Sequence, residues 1–301
     1  MNINLPHLNR NDRVEIIAPS YGGTREELEK AAAYVASLGL APHFPQDIFA
    51  ADLFCSNSDE YRTAHLIEAF TDPETKAIWA FRGGYGTTRI IEFLKKIKPP
   101  KIPKLLIGYS DITALHIFLN QEWGWPTLHA PVLAKIEERI TPESRAELQK
   151  IIFGEKNEIV FASLTPLNIA ANRIGDIESS VTGGNMVLVQ SSLGTDWQIE
   201  TKGKILFLEE FGEKAYRVDR ILVQLAQAGI FAKAKAVIFG QFIETETQEM
   251  VDKTVARFAG ALSIPALSCD KIGHGETNFP LPLGTKARLS FGENISLAVD
   301  C

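Results

Sequence analysis

This chain of 301 residues has little cysteine, no excess of basic charge and no run of about 18 apolar residues. Cys55, Cys269 and Cys301 are odd in number and far apart, which argues against a disulfide framework or a cysteine-based zinc site. Reduced thiols fit a cytoplasmic protein. Without a long apolar run no membrane span is expected, and the polar start MNINLPHLNRNDRVEI lacks the basic and apolar regions of a secretory signal. With 31 Lys and Arg against 37 Asp and Glu, the net charge is −6, so a nucleic-acid partner is disfavoured and small-molecule or peptide chemistry favoured. What is present is ample core material: 45% hydrophobic and 23% charged residues describe a globular chain, neither disordered nor fibrous. At about 100–200 residues per domain, the length points to two domains.

The first half repeats one unit three times: a short apolar run, a Gly- or Ser-containing turn, then an amphipathic helix. The copies are Val14–Ala18 with helix Arg25–Leu38, Ala77–Phe81 with helix Thr87–Lys96, and Lys104–Ile107 with helix Asp111–Gln121. Strands alternating with helices imply parallel pairing through right-handed crossovers, hence a doubly wound α/β domain over residues 1–155. All three turns then lie at the carboxyl ends of the strands, where such sheets bind ligands. Beyond a linker at 156–175, short β-like runs over 176–301 predict a smaller β-rich α/β domain. It includes strands Lys204–Glu209 and Ala236–Gly240, helix Tyr216–Ala228, and a tail starting at Leu281 that reads as a hairpin of Ala287–Phe291 with Ile295–Val299.

Ser110 stands where a buried strand turns into a helix, a geometry that lifts a hydroxyl above the sheet edge beside free N–H groups. The run Gly108-Tyr-Ser-Asp-Ile112 lacks the second glycine of a G-x-S-x-G elbow, so helix capping by Ser110 or Asp111 is the plain alternative. A serine nucleophile needs a base oriented by a carboxylate. Of six histidines, His274 is flanked by glycines in Ile272-Gly-His-Gly-Glu276 and is presented by its loop. His129 reads as a core or pocket-lining residue, and His116 falls on nearly the opposite helix face from Ser110. In Lys204-Ile-Leu-Phe-Leu-Glu-Glu210 both alternating faces are apolar, so the strand is buried and Glu209 at its end needs a partner. That partner is an imidazole, or else Arg217 or Arg220 on the following helix.

The loop Arg82-Gly-Gly-Tyr-Gly86 offers backbone N–H groups to an anion, either a phosphate or an oxyanion. The full dinucleotide fingerprint is missing, so no cofactor is expected. The pairs His65/Glu68 and His274/Glu276 lack any established metal-ligand spacing, and no metal is expected.

Together, Ala18-Pro-Ser-Tyr-Gly22, Arg82-Gly-Gly-Tyr-Gly86, Gly108-Tyr-Ser-Asp111, Gly183-Gly-Asn185, Leu208-Glu-Glu210 and Gly273-His274 resemble the LD-carboxypeptidase family, in order and over nearly the whole chain. That family comprises cytoplasmic serine peptidases, among them murein tetrapeptide carboxypeptidases and microcin C immunity peptidases. The resemblance implies a flavodoxin-like N-terminal domain, a smaller β-rich C-terminal domain and a homodimer. It further implies a triad of Ser110, His274 and Glu209, with an oxyanion hole from the N–H groups of Gly84 and Asp111. The implied reaction removes the terminal D-alanine of a murein tetrapeptide during peptidoglycan recycling, with Arg82 and Arg89 as candidates for holding the substrate carboxylate. The alternatives are cleavage of a nucleotide-bearing antibiotic of the microcin type, or a non-catalytic flavin or nucleotide module. Many relatives carry Trp before Gly-Gly-Asn where this chain has Thr182, which removes a stacking surface from the nucleotide alternative.

Overall fold

The computed structural model describes residues 4–301; Met1, Asn2 and Ile3 of the polar start lie outside the described residues. Five parallel strands, joined at one edge by a sixth described below, form the first sheet: β1 (Arg13–Ile17), β2 (Ala41–His43), β3 (Thr75–Ala80), β4 (Leu105–Gly108) and β5 (Thr127–His129). Their order, β2-β1-β3-β4-β5, is the flavodoxin-like one, with its switch point between β1 and β3. Residues on the central strands alternate between two cores: Ile16, Trp79 and Ile107 enter one, Ile17, Ile78 and Leu106 the other. Helices α1 (Arg25–Ser37), α2 (Asp59–Thr71), α3 (Thr87–Leu94) and α4 (Thr113–Phe118) belong to this half. Burial on both faces explains why its strands read as continuous apolar runs.

Local chemistry sets the element ends. Thr24 and Glu27 cap α1 reciprocally, each side chain accepting the other's backbone N–H. The helix expected over Asp111–Gln121 is instead three pieces: a tight turn at Ser110–Ile112, α4, and a widened turn at Leu119–Trp123. The widening occurs where Trp123 and Trp125 pack edge-on to Phe70, at 5.0 and 5.8 Å between ring centroids.

The second sheet has eight strands: β6 (Glu158–Phe161), β7 (Thr165–Pro166), β8 (Gly175–Asn185), β9 (Ile205–Phe211), β10 (Ala236–Ile243), β11 (Ala266–Ser268), β13 (Lys286–Phe291) and β14 (Ser296–Asp300). Strands β8 to β11 are parallel and the others antiparallel. The stretch 156–175, expected as a linker, supplies β6 and β7 to this sheet, because Ile159 and Phe161 alternate inward to its core. The expected hairpin is β13 with β14. Its lead-in behaves differently: Leu281–Leu283 forms β12, which crosses to the first sheet and pairs antiparallel with β5. Among the described residues no helix is long and apolar enough to cross a membrane.

Candidate active site

Strand β4 is buried throughout and ends at Gly108; Tyr109 is extended, and Ser110 turns sharply with φ of +64°. A non-glycine residue in the left-handed region costs about 1–3 kcal/mol and persists where its surroundings impose it. Here the imposition is visible. The carboxylate of Asp111 accepts bonds from Ser20 Oγ (2.6 Å), Thr87 N (2.8 Å) and Thr87 Oγ1 (2.6 Å), which ties the turn after β4 to those after β1 and β3. Burial pushes the Asp111 carboxyl above its ordinary value, against these bonds. His116 Nε2 lies 2.9 Å from the carbonyl of Gly108 and steadies the strand end.

The glycine loop then closes on the serine. A Cβ on Gly83 would sit 2.9 Å from Ser110 Cβ and 3.0 Å from its Oγ, so only glycine fits. The N–H groups of Gly84 and Asp111 meet no protein acceptor among the described residues and remain open to an anion.

From the other sheet, β9 brings Glu209 to the cleft by the alternation expected of it. Ile205 and Phe207 enter one core and Leu206 and Leu208 the other, leaving Glu209 fully buried two residues before the strand's end. Its Oε2 lies 2.5 Å from His274 Nδ1, while Oε1 has no hydrogen-bond partner. The alternative arginine partners are elsewhere: Arg217 pairs with Glu213, and Arg220 lies over the ring of Tyr216. The carboxylate favours a proton on Nδ1 and leaves Nε2 as the acceptor. Burial disfavours the imidazolium, but the charge and hydrogen bond of Glu209, with the charge of Glu210, outweigh it and raise His274 above its ordinary value.

The His274 ring is flanked by Tyr109 at 4.5 Å and by Phe211 at 5.3 Å, the latter nearly parallel. Gln241 holds the loop: Oε1 accepts from Gly275 N (2.6 Å), and Nε2 donates to the carbonyls of Asp270 (2.7 Å) and Thr277 (3.0 Å). Sequence reasoning misses Gln241, whose one signal is its place just after the strand pattern ending at Gly240.

Gly183-Gly184-Asn185 joins the two halves. A Cβ on Gly184 would meet Thr113 Oγ1 at 2.5 Å, and the N–H of Asn185 donates to that hydroxyl at 2.9 Å. Asn185 Nδ2 also donates to Glu210, whose carboxylate takes the N–H of Val187 and of Phe211. Burial, then the charge of Glu209, pushes Glu210 up to about 7.

Ser110, His274, Gly83 and Gly84 line one cleft of about 450 Å³. Ser110 and His274 form no hydrogen bond with each other; such contacts often tighten only when substrate binds. Arg82 lines the cleft, as expected. Arg89 does not: its guanidinium is bound to the carboxylate of Asp59, outside the lining of the cleft. Lys135 and Arg139, not singled out in the sequence, line the cleft in its place. His129 is fully buried against Phe207 and Tyr109 with both ring nitrogens unpartnered, and burial holds it well below its ordinary value. His43 and His65 both bind the buried Glu15.

Comparison with known proteins matches residues 14–130 to the LD-carboxypeptidase N-terminal domain and residues 178–289 to the LD-carboxypeptidase C-terminal domain. A putative carboxypeptidase of Rickettsia conorii is 36% identical over 97% of this chain and 92% of its own length. A probable murein peptide carboxypeptidase of Bacillus subtilis is 31% identical over 96% of this chain and 92% of its own. Among solved structures, a muramoyltetrapeptide carboxypeptidase from Oxalobacter formigenes superposes with a TM-score of 0.80 at 26% identity, covering 96% of this chain and 99% of that one.

Proposed function

The chain belongs to the LD-carboxypeptidase family of hydrolases, and from that premise we propose that it removes the terminal D-alanine of murein tetrapeptides by a Ser110-His274-Glu209 mechanism. The observation that carries this reading is the 2.5 Å contact between His274 and buried Glu209 on the cleft that Ser110 enters from the other sheet. Ser110 Oγ attacks the carbonyl carbon on the L-centre of meso-diaminopimelate while His274 Nε2 takes the hydroxyl proton. The N–H groups of Gly84 and Asp111 take up the oxyanion, and such donors act where charge develops in the transition state. Collapse breaks the C–N bond, His274 returns its proton to the leaving amine of D-alanine, and water repeats the sequence on the acyl-enzyme.

Murein peptides are favoured over a nucleotide-bearing antibiotic because Thr182 is buried in β8 and offers no ring to stack on a base. The test is release of D-alanine from a murein tetrapeptide, followed by mass spectrometry. Ser110→Ala is expected to lower the rate at least about 10⁴-fold with the fold retained. A variant as active as the parent would remove Ser110 from the mechanism.

A further inference from the structure

A carboxypeptidase must recognise the free carboxylate of the residue it releases, and the cleft wall carries three cations, Arg82, Lys135 and Arg139. Their surroundings differ. Lys135 faces Glu27, with Nζ 3.9 Å from its Oε1, whereas Arg82 and Arg139 form no ion pair among the described residues. Arg82 immediately precedes Gly83 and Gly84, on the side where the carbonyl oxygen of a bound substrate would lie. Arg139 ends α5 (Ile136–Arg139), and two residues on, the N–H of Thr141 donates to the carbonyl of Glu276 at 2.9 Å. Glu276 is itself two residues past His274, so Arg139 belongs to the rim that holds the histidine. Arg139 is also electrostatically felt at Tyr109: burial raises that phenol to about 12, and the arginine's charge works against the rise. Tyr109 packs on His274 and directly precedes Ser110. The flank of His274 beyond Phe211 is acidic, with Glu210 and Glu213 on the cleft wall.

Proton return requires the leaving nitrogen to lie beside His274, and the carboxylate of the leaving amino acid is two bonds from that nitrogen. Resting on the carboxypeptidase reading above, we infer that Arg139, on the cleft rim joined to the His274 loop through Thr141 and Glu276, is the substrate-binding residue that holds the free C-terminal carboxylate. Arg82 then faces the acyl side. A guanidinium fork suits a carboxylate bidentately, and the acidic flank repels the same group, so both select one placement.

The experiment compares a murein tetrapeptide with the same peptide ending in D-alaninamide, for the unmodified protein, Arg139→Gln and Arg82→Gln. The quantity read is the ratio of kcat/KM for the acid to that for the amide. The unmodified protein is expected to prefer the acid, and Arg139→Gln to shrink that ratio by about 10- to 100-fold, the loss of a charge-assisted contact. Arg82→Gln is expected to leave the ratio close to that of the unmodified protein. An Arg139→Gln ratio equal to the parent's, or a collapse confined to Arg82→Gln, would overturn the assignment while leaving the carboxypeptidase reading intact. No release of alanine or alaninamide by the unmodified protein would overturn that reading, and the role of Arg139 with it.

Discussion

At the scale of single residues, the Glu209–His274 pair makes a pH-dependent prediction. As the proposed base, His274 acts only when neutral; burial pulls it down, but the charge and hydrogen bond of Glu209 together with the charge of Glu210 outweigh burial and raise it above its ordinary value, about 6.5. The acidic limb of kcat/KM is therefore expected above pH 6.5, with activity rising as His274 loses its proton. In Glu209→Gln the opposing charge is gone and burial prevails, so the limb moves below that value, while kcat falls about 10³–10⁴-fold from loss of the oriented tautomer. Stability runs the other way. Because the folded histidine holds its proton more tightly than the unfolded one, the pair's contribution is complete below about pH 6.5 and is lost as pH rises through the raised folded value. The difference in melting temperature between parent and Glu209→Gln, followed from pH 5 to 9, is expected to shrink with rising pH. A limb that stays in place in Glu209→Gln would exclude Glu209 as the partner that sets it.

At the scale of elements, the site depends on how turns are pinned, and Gln241 is the clearest case. Its side chain supplies three hydrogen bonds that fold the loop around His274. Gln241→Ala leaves one N–H and two carbonyls without that partner, a cost of about 1–3 kcal/mol in stability. Displacing the imidazole is expected to lower kcat by about 10- to 100-fold with a smaller change in KM, measured on the tetrapeptide. An equal loss in KM alone would assign Gln241 to substrate binding. This element was only half legible. The glycines around His274 mark a loop that presents a side chain, and period-two alternation marks Glu209, because both signals are local. Gln241 is illegible because its importance comes from pairing β10 with a loop about 30 residues later, which no local period records. Arg89 misleads for the same reason: its helix position is correct, but Asp59, 30 residues earlier, claims it. The strand-turn-helix units read cleanly because two-sided burial writes continuous apolar runs. The turn at Ser110–Ile112 departs from the expected helix where the Asp111 carboxylate is pinned by Ser20 and Thr87, contacts that no local period records.

At the scale of the molecule, β12 connects the parts. It lies seven residues after His274, leaves the second sheet's run of sequence, and pairs with β5 at Leu281↔His129 and Leu283↔Thr127. Leu281 and Leu283 are fully buried. His274 is thereby tethered to the sheet that carries Ser110, and Asn185 on Thr113 adds a second tie. We propose the division at 155/156 as the boundary between a unit holding Ser110 with the glycine loop and a unit delivering Glu209 and His274. Each unit then lacks part of the site, and residues 1–155 also expose the β5 edge that β12 covers, an unpaired ladder open to association. Neither fragment produced alone is expected to release D-alanine. The 1–155 fragment is expected to self-associate in sedimentation, and adding 156–301 is expected to suppress that association and recover measurable turnover. Hydrolysis by 1–155 alone would show that a base within the first sheet suffices, and would remove His274 from the reaction.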